Sequence, residues 1–347
     1  MGVIDNLNTI KTIKEQIKMS ISEKGIDMNG VVFNEYPDKI QEIKTGGDGK
    51  LIVKDWGVKF QEYPFDELPE WIDFTGTEDY SEMFKKCDYL ITATGIDWNS
   101  AKKTQQMFAG CRHLNILSLC QMERNEYVLN LPNVNQCYGM FQGISNYESN
   151  YKTFNLNIPN AVETSGLFSS FIPSRQYDGL SLSINAPKVK YASNMFNNCM
   201  SGNIDVTLGN IENGLNLFYN VMYDYTGEIN GGRINLSCNT IINATGILDR
   251  TIVEEIYLGG DWSQATIDST SFNCNCKRFN GLRGFKNGNL NLSNMKDLEY
   301  PYALNLINYQ LGTPDKPLYI YFNDALSDYF TEEDVELALA KNWIISF

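Results

Sequence analysis

The sequence predicts a mainly β fold: a parallel β-solenoid with short helical turns, preceded by an α-helical N-terminal module and closed by a helix-strand C-terminal cap. Three observations predict it. Short segments alternating apolar and polar residues recur along the chain, a five-residue signature opening on an apolar pair recurs among them, and the first fifty residues carry apolar spacing of a helical period. Period-two alternation marks a half-buried strand, and self-similarity at a spacing of a few tens of residues marks stacked repeats.

At the N-terminus, Ile4, Leu7, Ile10, Ile13, Ile17 and Ile21 recur three and four residues apart, which predicts an amphipathic helix ending near Lys24-Gly25. Tyr36, Ile40 and Ile43 then suggest a short second helix. Residues 1–45 form one module on this reading, and Gly46-Gly47-Asp48-Gly49 opens a flexible joint at 46–50. A glycine joint is a poor connection for a cap that must pack on the first repeat. The module is therefore read as a docking or oligomerisation device, with a plain N-terminal cap as the alternative.

Residues 51–325 carry the repeats. The predicted strands are Leu129–Leu131, Phe154–Ile158, Leu180–Ile184, Ile204–Leu208, Ile234–Cys238, Ile256–Leu258, Leu290–Leu292 and Leu318–Phe322, beginning 22 to 34 residues apart. The signature reads Met83-Phe84-Lys85-Lys86-Cys87, Met107-Phe108-Ala109-Gly110-Cys111, Met140-Phe141-Gln142-Gly143-Ile144 and Leu167-Phe168-Ser169-Ser170-Phe171. It continues as Met195-Phe196-Asn197-Asn198-Cys199 and Leu217-Phe218-Tyr219-Asn220-Val221, with a degenerate copy at Ser271–Cys274. One helical turn would put its first and fifth residues on one side, and the Phe would fill the space between turn and strand. One strand plus one helical or 3₁₀ turn per repeat is the unit of a leucine-rich-repeat-like solenoid. Asn between the strands suits bends that need left-handed residues.

After the last repeat, Thr331 is placed to cap a helix whose first turn holds Glu332, Glu333 and Asp334, and Trp343-Ile344-Ile345 then reads as a strand. Residues 326–347 are thus a C-terminal cap.

Composition narrows the function. A net charge of −14 without a basic stripe argues against nucleic acid. No apolar run reaches the ~20 residues of a membrane span, and no secretory signal is visible. The eight cysteines are read as buried thiols, and Cys274-Asn275-Cys276 lacks two further ligands for a metal. The glycine-rich stretches at 227–232 and 284–288 lack the Gly-Lys-Ser/Thr of a phosphate loop, so no cofactor is expected. Cys111 and His113 stand two apart, where side chains on a helical turn do not face each other. The acids Asp66-Glu67, Glu78-Asp79 and Glu332-Glu333-Asp334 fall in turns or at a helix start, although glycosidase acids drawn from distant repeats would leave no linear motif. Tyr219, Tyr223, Tyr225, Tyr319 and Tyr321 are candidates for a surface that contacts sugar or protein. Tyr319 and Tyr321 alternate with Leu318, Ile320 and Phe322, so one of the two sets faces outward.

Met-Phe-x-x-Cys followed by a Leu-x-Leu strand resembles the BspA-type leucine-rich repeat of bacterial surface proteins and phage structural proteins, over residues 70–325. The N-terminal helix followed by Tyr36-Pro37-Asp38-Lys39-Ile40-Gln41-Glu42-Ile43 is similar to the N-terminal module of fibre-type virion proteins in crAss-like and other Bacteroidales phages, with Pro37 departing from the small residue expected there. The resemblance implies a non-catalytic virion structural protein, a head fibre on the capsid surface, made in the host cytoplasm. It would dock on other virion proteins through its N-terminal module, associate with itself (a homodimer ahead of a trimer) and project an adhesive domain toward a host glycan or protein. A tail-associated receptor-binding protein is the alternative, and a glycan depolymerase the third reading.

Overall fold

Alternation of inward apolar and outward polar residues builds one large, mostly parallel sheet, and the protein is mainly β with a few short helices. The computed structural model describes residues 11–12, 14–19, 21–22, 28, 51–53, 59–62, 66–68, 70, 72–123, 126–145, 153–172, 180–222 and 231–347. The large sheet contains β3 (Gln121–Glu123), β4 (Glu126–Asn130), β5 (Thr153–Asn157), β6 (Ser181–Ala186), β7 (Asn203–Leu208), β9 (Arg233–Ser237), β11 (Glu255–Leu258) and β12 (Arg278–Gly281), in that spatial order. Only β3–β4 is antiparallel. Two inward rows fix the register: Phe154, Leu182, Ile204, Ile234, Ile256 and Phe279 form one, and Leu129, Leu156, Ile184, Val206, Leu236 and Leu258 the other. All twelve are buried, and a slip of one residue would turn every one of them to solvent.

Smaller sheets flank this one. β1 (Leu51–Ile52) pairs with β2 (Ile72–Asp73), and β8 (Asn210–Asn213) with β10 (Thr240–Asn243), both parallel. β13 (Leu290–Asn291), β14 (Leu318–Tyr321) and β15 (Trp343–Ser346) form a parallel C-terminal sheet. Every predicted strand is present. β12 escaped prediction because Phe279 is its one large apolar residue and Gly281 ends it. Gly281 lies at φ +144°, and a Cβ there would stand 2.4 Å from the Leu258 carbonyl oxygen.

The signature segments do not form α-helical turns; their bonds to carbonyls three residues back are of the kind a 3₁₀ turn makes, but they are not continued into a helix. Each is a pair of tight turns with left-handed residues four apart: Glu82 and Lys86, Gly139 and Gly143, Asn194 and Asn198, Asn216 and Asn220. The reason lies in the backbone hydrogen bonds. Met83, Lys85 and Cys87 donate to carbonyls three residues back, whereas Tyr80, Glu82, Phe84 and Lys86 donate to Lys103, Gln105, Met107 and Ala109 of the next repeat. A helical turn would direct those N–H groups along its own axis, leaving neighbouring repeats without their shared bonds.

Below the turns runs a column of seven rings: Phe60, Phe84, Phe108, Phe141, Phe168, Phe196 and Phe218. Successive centroids are 5.3–6.2 Å apart and the planes tilt by 2–23°. The column ends because Leu248 takes the next place. Ile247-Leu248-Asp249-Arg250-Thr251 is a further copy of the turn, with Gly246 and Arg250 at positive φ. It lacks Met, Phe and Cys, which hid it from sequence reading.

At the C-terminus, α1 (Tyr300–Asn305) runs into a π-helical turn, Leu306–Gln310. α2 (Glu332–Ala340) opens on a capping box between Thr331 and Asp334. The Lys341 ammonium donates to the carbonyls of Ile307 (2.9 Å) and Asn308 (2.7 Å), satisfying the end of the π-helical turn.

At the other end, residues 14–19 are helical, and Ile17 and Ile21 are buried in the same apolar core as Met28, Val53 and Phe60. These two stripe positions are therefore buried within their own chain. Ile4, Leu7, Ile10, Ile13, Tyr36, Ile40, Ile43 and the joint at 46–50 lie outside the described residues. No helix among the described residues is long and apolar enough to cross a membrane.

Candidate functional site

The outward face of the large sheet is a lattice of amides and hydroxyls whose groups bind one another across repeats. Asn157 donates to Asn130 (3.1 Å) and Asn185 to Asn157 (2.9 Å), so three asparagines form a ladder along β4, β5 and β6. Asp205 accepts two bonds from the Arg233 guanidinium, at 3.0 and 2.8 Å, and a third from the Asn235 amide at 3.0 Å. Arg278 pairs with Glu255. Tyr257 stands between Asn235 and Asn280 on this face, 46% exposed.

The C-terminal sheet presents a different surface. Leu290, Ile320, Phe322 and Trp343 are buried, so alternation turns Tyr319 outward, 41% exposed, with Tyr321 on the same side. Their rings stack with centroids 5.8 Å apart and planes tilted by 15°. Beside them lies an open cleft of about 510 Å³, lined by Asn291, Ser293, Tyr321, Asn323, Asp324 and Phe347 among others. The polar groups are held from beneath. Asn291 Oδ1 accepts from the Ser293 N–H (3.1 Å) and hydroxyl (2.8 Å). Asn323 donates to the Ser293 carbonyl (2.8 Å) and accepts from the Ala325 N–H (3.1 Å).

The remaining candidates are dispersed. Tyr219 is half-buried in the turn layer with the Arg250 guanidinium 5.7 Å from its ring centroid, and Tyr223 and Tyr225 lie outside the described residues. The structure thus brings together Tyr319 and Tyr321 and adds the cleft residues. Asn291 ends β13 while Asn323 and Asp324 sit just past the end of β14, and sequence offered only that position as a signal.

The thiols are core groups. Seven of the eight cysteines are buried and Cys120 is partly so. Cys87 Sγ lies 2.8 Å from the Phe60 carbonyl and Cys111 Sγ 2.8 Å from that of Phe84, one repeat back. Thr251, in the same place of its repeat, donates to the Phe218 carbonyl. At Cys87, Cys111 and Thr251 the fifth signature position thus donates across repeats, whereas Ile144, Phe171 and Val221 fill it with apolar side chains. Burial, and after it the neighbouring Cys87, push the Cys111 thiol well up, while His113 is exposed, so the two do not form a couple. Burial likewise raises Cys274, with Cys276 adding to it.

Among the paired acids, Glu78, Asp79 and Asp334 make contacts within the fold. Glu78 meets Lys102 at 2.8 Å, and Asp79 accepts from the Ser81 N–H at 2.9 Å. Burial alone would raise the Asp334 carboxyl, but bonds from the Thr331 N–H, the Thr331 hydroxyl and the Tyr300 hydroxyl outweigh it and hold it below the usual range. Among the described residues no group of three His, Cys, Asp or Glu side chains is arranged to hold a metal ion. Comparisons with family models, with curated proteins and with solved structures find no match.

Proposed function

We propose that the chain is a BspA-type, leucine-rich-repeat-like β-solenoid serving as a non-catalytic phage virion structural protein. In this reading it is a capsid-surface head fibre that docks through its N-terminal module and projects the repeat domain. The observation that carries the proposal is the cross-repeat bonding of the sheet's outward face. Asn130, Asn157 and Asn185 bind one another, and Arg233, Asn235 and Asp205 do the same, so groups that an enzyme would free for substrate are used to join repeats. Such a lattice suits a stiff spacer. Immunogold labelling of intact particles tests it: label on the capsid is expected, and absence from every particle overturns it. Release of reducing ends from host capsule by the purified chain would replace it with the depolymerase reading.

The stacked Tyr319 and Tyr321 beside an open cleft favour the second reading, a tail-associated receptor-binding protein, and label on the tail would select it.

A further inference from the structure

We propose that the cleft beside β14 binds one neutral sugar unit of a surface glycan; this deepens the adhesive reading above and rests on it. Its volume, about 510 Å³, falls within the range of small-ligand sites. Its chemistry selects the ligand class. Tyr321 is braced by Tyr319 on one side and lines the cleft, so its ring offers a fixed apolar surface. Phe347, 42% exposed, adds a second ring and is itself held against Phe330 at 5.6 Å. A pyranose has a face of C–H groups that packs on such a ring, and a rim of hydroxyls that needs donors and acceptors.

Those partners are in place. The bonds from Ser293 fix Asn291 Oδ1 and so set the direction in which its NH₂ group donates. Asn323 is pinned at both ends of its amide, and Asp324 follows it with a carboxylate able to accept from two adjacent hydroxyls. Orientation before binding reduces the ordering cost of association. Charge decides between classes of sugar. Among the described residues, Asp324 is the one charged side chain lining the cleft and no cationic side chain lines it, and the chain carries a net charge of −14. Sialic or uronic acids would enter unpaired against a carboxylate, so neutral sugars are favoured.

The test uses the full chain on an array of neutral, sialylated and uronate-containing oligosaccharides, followed by calorimetric titration of any ligand retained. Neutral glycans are expected to bind and acidic ones to be rejected. Tyr321→Ala and Asp324→Ala should each weaken binding by about tenfold or more, Tyr321→Phe should stay within about threefold, and Tyr257→Ala on the large sheet should leave affinity unchanged. Melting curves establish that the variants are folded, and Tyr321→Phe preserves the ring if Tyr321→Ala does not fold. Retention of no neutral glycan, preference for acidic ones, affinity indifferent to Tyr321 and Asp324, or calcium chloride alone titrating the site would each overturn the proposal. Capsid labelling without glycan binding removes the cleft assignment and leaves the virion reading intact, while glycan binding without particle labelling does the reverse.

Discussion

Phe196 shows what a single residue contributes to stacking one repeat on the next. Its ring is fully buried, 5.8 Å from Phe168 and 5.3 Å from Phe218, with planes within 6° of both. Phe196→Ala removes the ring from the middle of a column that cannot close the gap, because each neighbour is fixed by its own turn. We expect a loss of about 3–5 kcal/mol in denaturant unfolding. Phe196→Leu should cost less, about 1–2 kcal/mol, because Leu248 occupies the equivalent place in its own repeat without disturbing the turn. A change within about 0.5 kcal/mol for the alanine variant would mean that the column does not hold the repeats together. This much was legible from residues alone, since a repeated Phe beside an alternating strand has little to do but fill core. The Leu248 copy was not, because its remaining signals, Gly246 before an apolar pair and small Ala244 two residues earlier, depend on backbone geometry that composition does not display.

Among the elements, the turn departed furthest from expectation, and the departure has a general cause. Four-residue spacing is shared by a helical turn and by two linked turns with left-handed residues four apart, so spacing alone does not separate them. The identity of the left-handed residues does so at the Gly and Asn copies, though not where Glu82, Lys86, Gln106, Ser170 or Arg250 takes that place. Gly139, Gly143, Gly166, Asn194, Asn198, Asn216 and Asn220 are the residue types that tolerate positive φ, and their recurrence around the Met-Phe pair was the available clue. Asn198, at φ 55°, gives the test. Asn198→Gly should leave the melting temperature nearly unchanged, because glycine reaches the left-handed region freely. Asn198→Val should destabilise by about 1–3 kcal/mol, since a β-branched side chain is strained there. Equal melting temperatures for the two variants would contradict this account of the turn. The cleft was half legible for a related reason: alternation along Leu318–Phe322 turns the tyrosines outward, but the partners that give them a site come from two other stretches of chain, brought alongside by the parallel pairing of β13 and β14.

For the molecule as a whole, burial divides the N-terminal stripe. Ile17 and Ile21 are 3% and 0% exposed within the chain's own core, while Ile4, Leu7, Ile10 and Ile13, outside the described residues, are the positions that the sequence reading assigns to a partner. Four apolar residues over ten make a short face, and an isolated helix of that length is marginal in water. A second copy presenting the same face supplies a partner, and twofold pairing of identical surfaces is the simplest closed arrangement. We therefore expect a dimer by light scattering of the full chain at micromolar concentration. If the stripe is the interface, Ile10→Asp should shift the dimer to monomer. Ile17→Asp should instead lower the melting temperature sharply, since it places a charge in the core shared with Val53 and Phe60. The two outcomes separate association from folding, which a stripe read as one unit could not do. A wild-type monomer would assign the face to a different protein, a trimer would replace the twofold count, and a dimer that survives Ile10→Asp would move the interface elsewhere on the molecule.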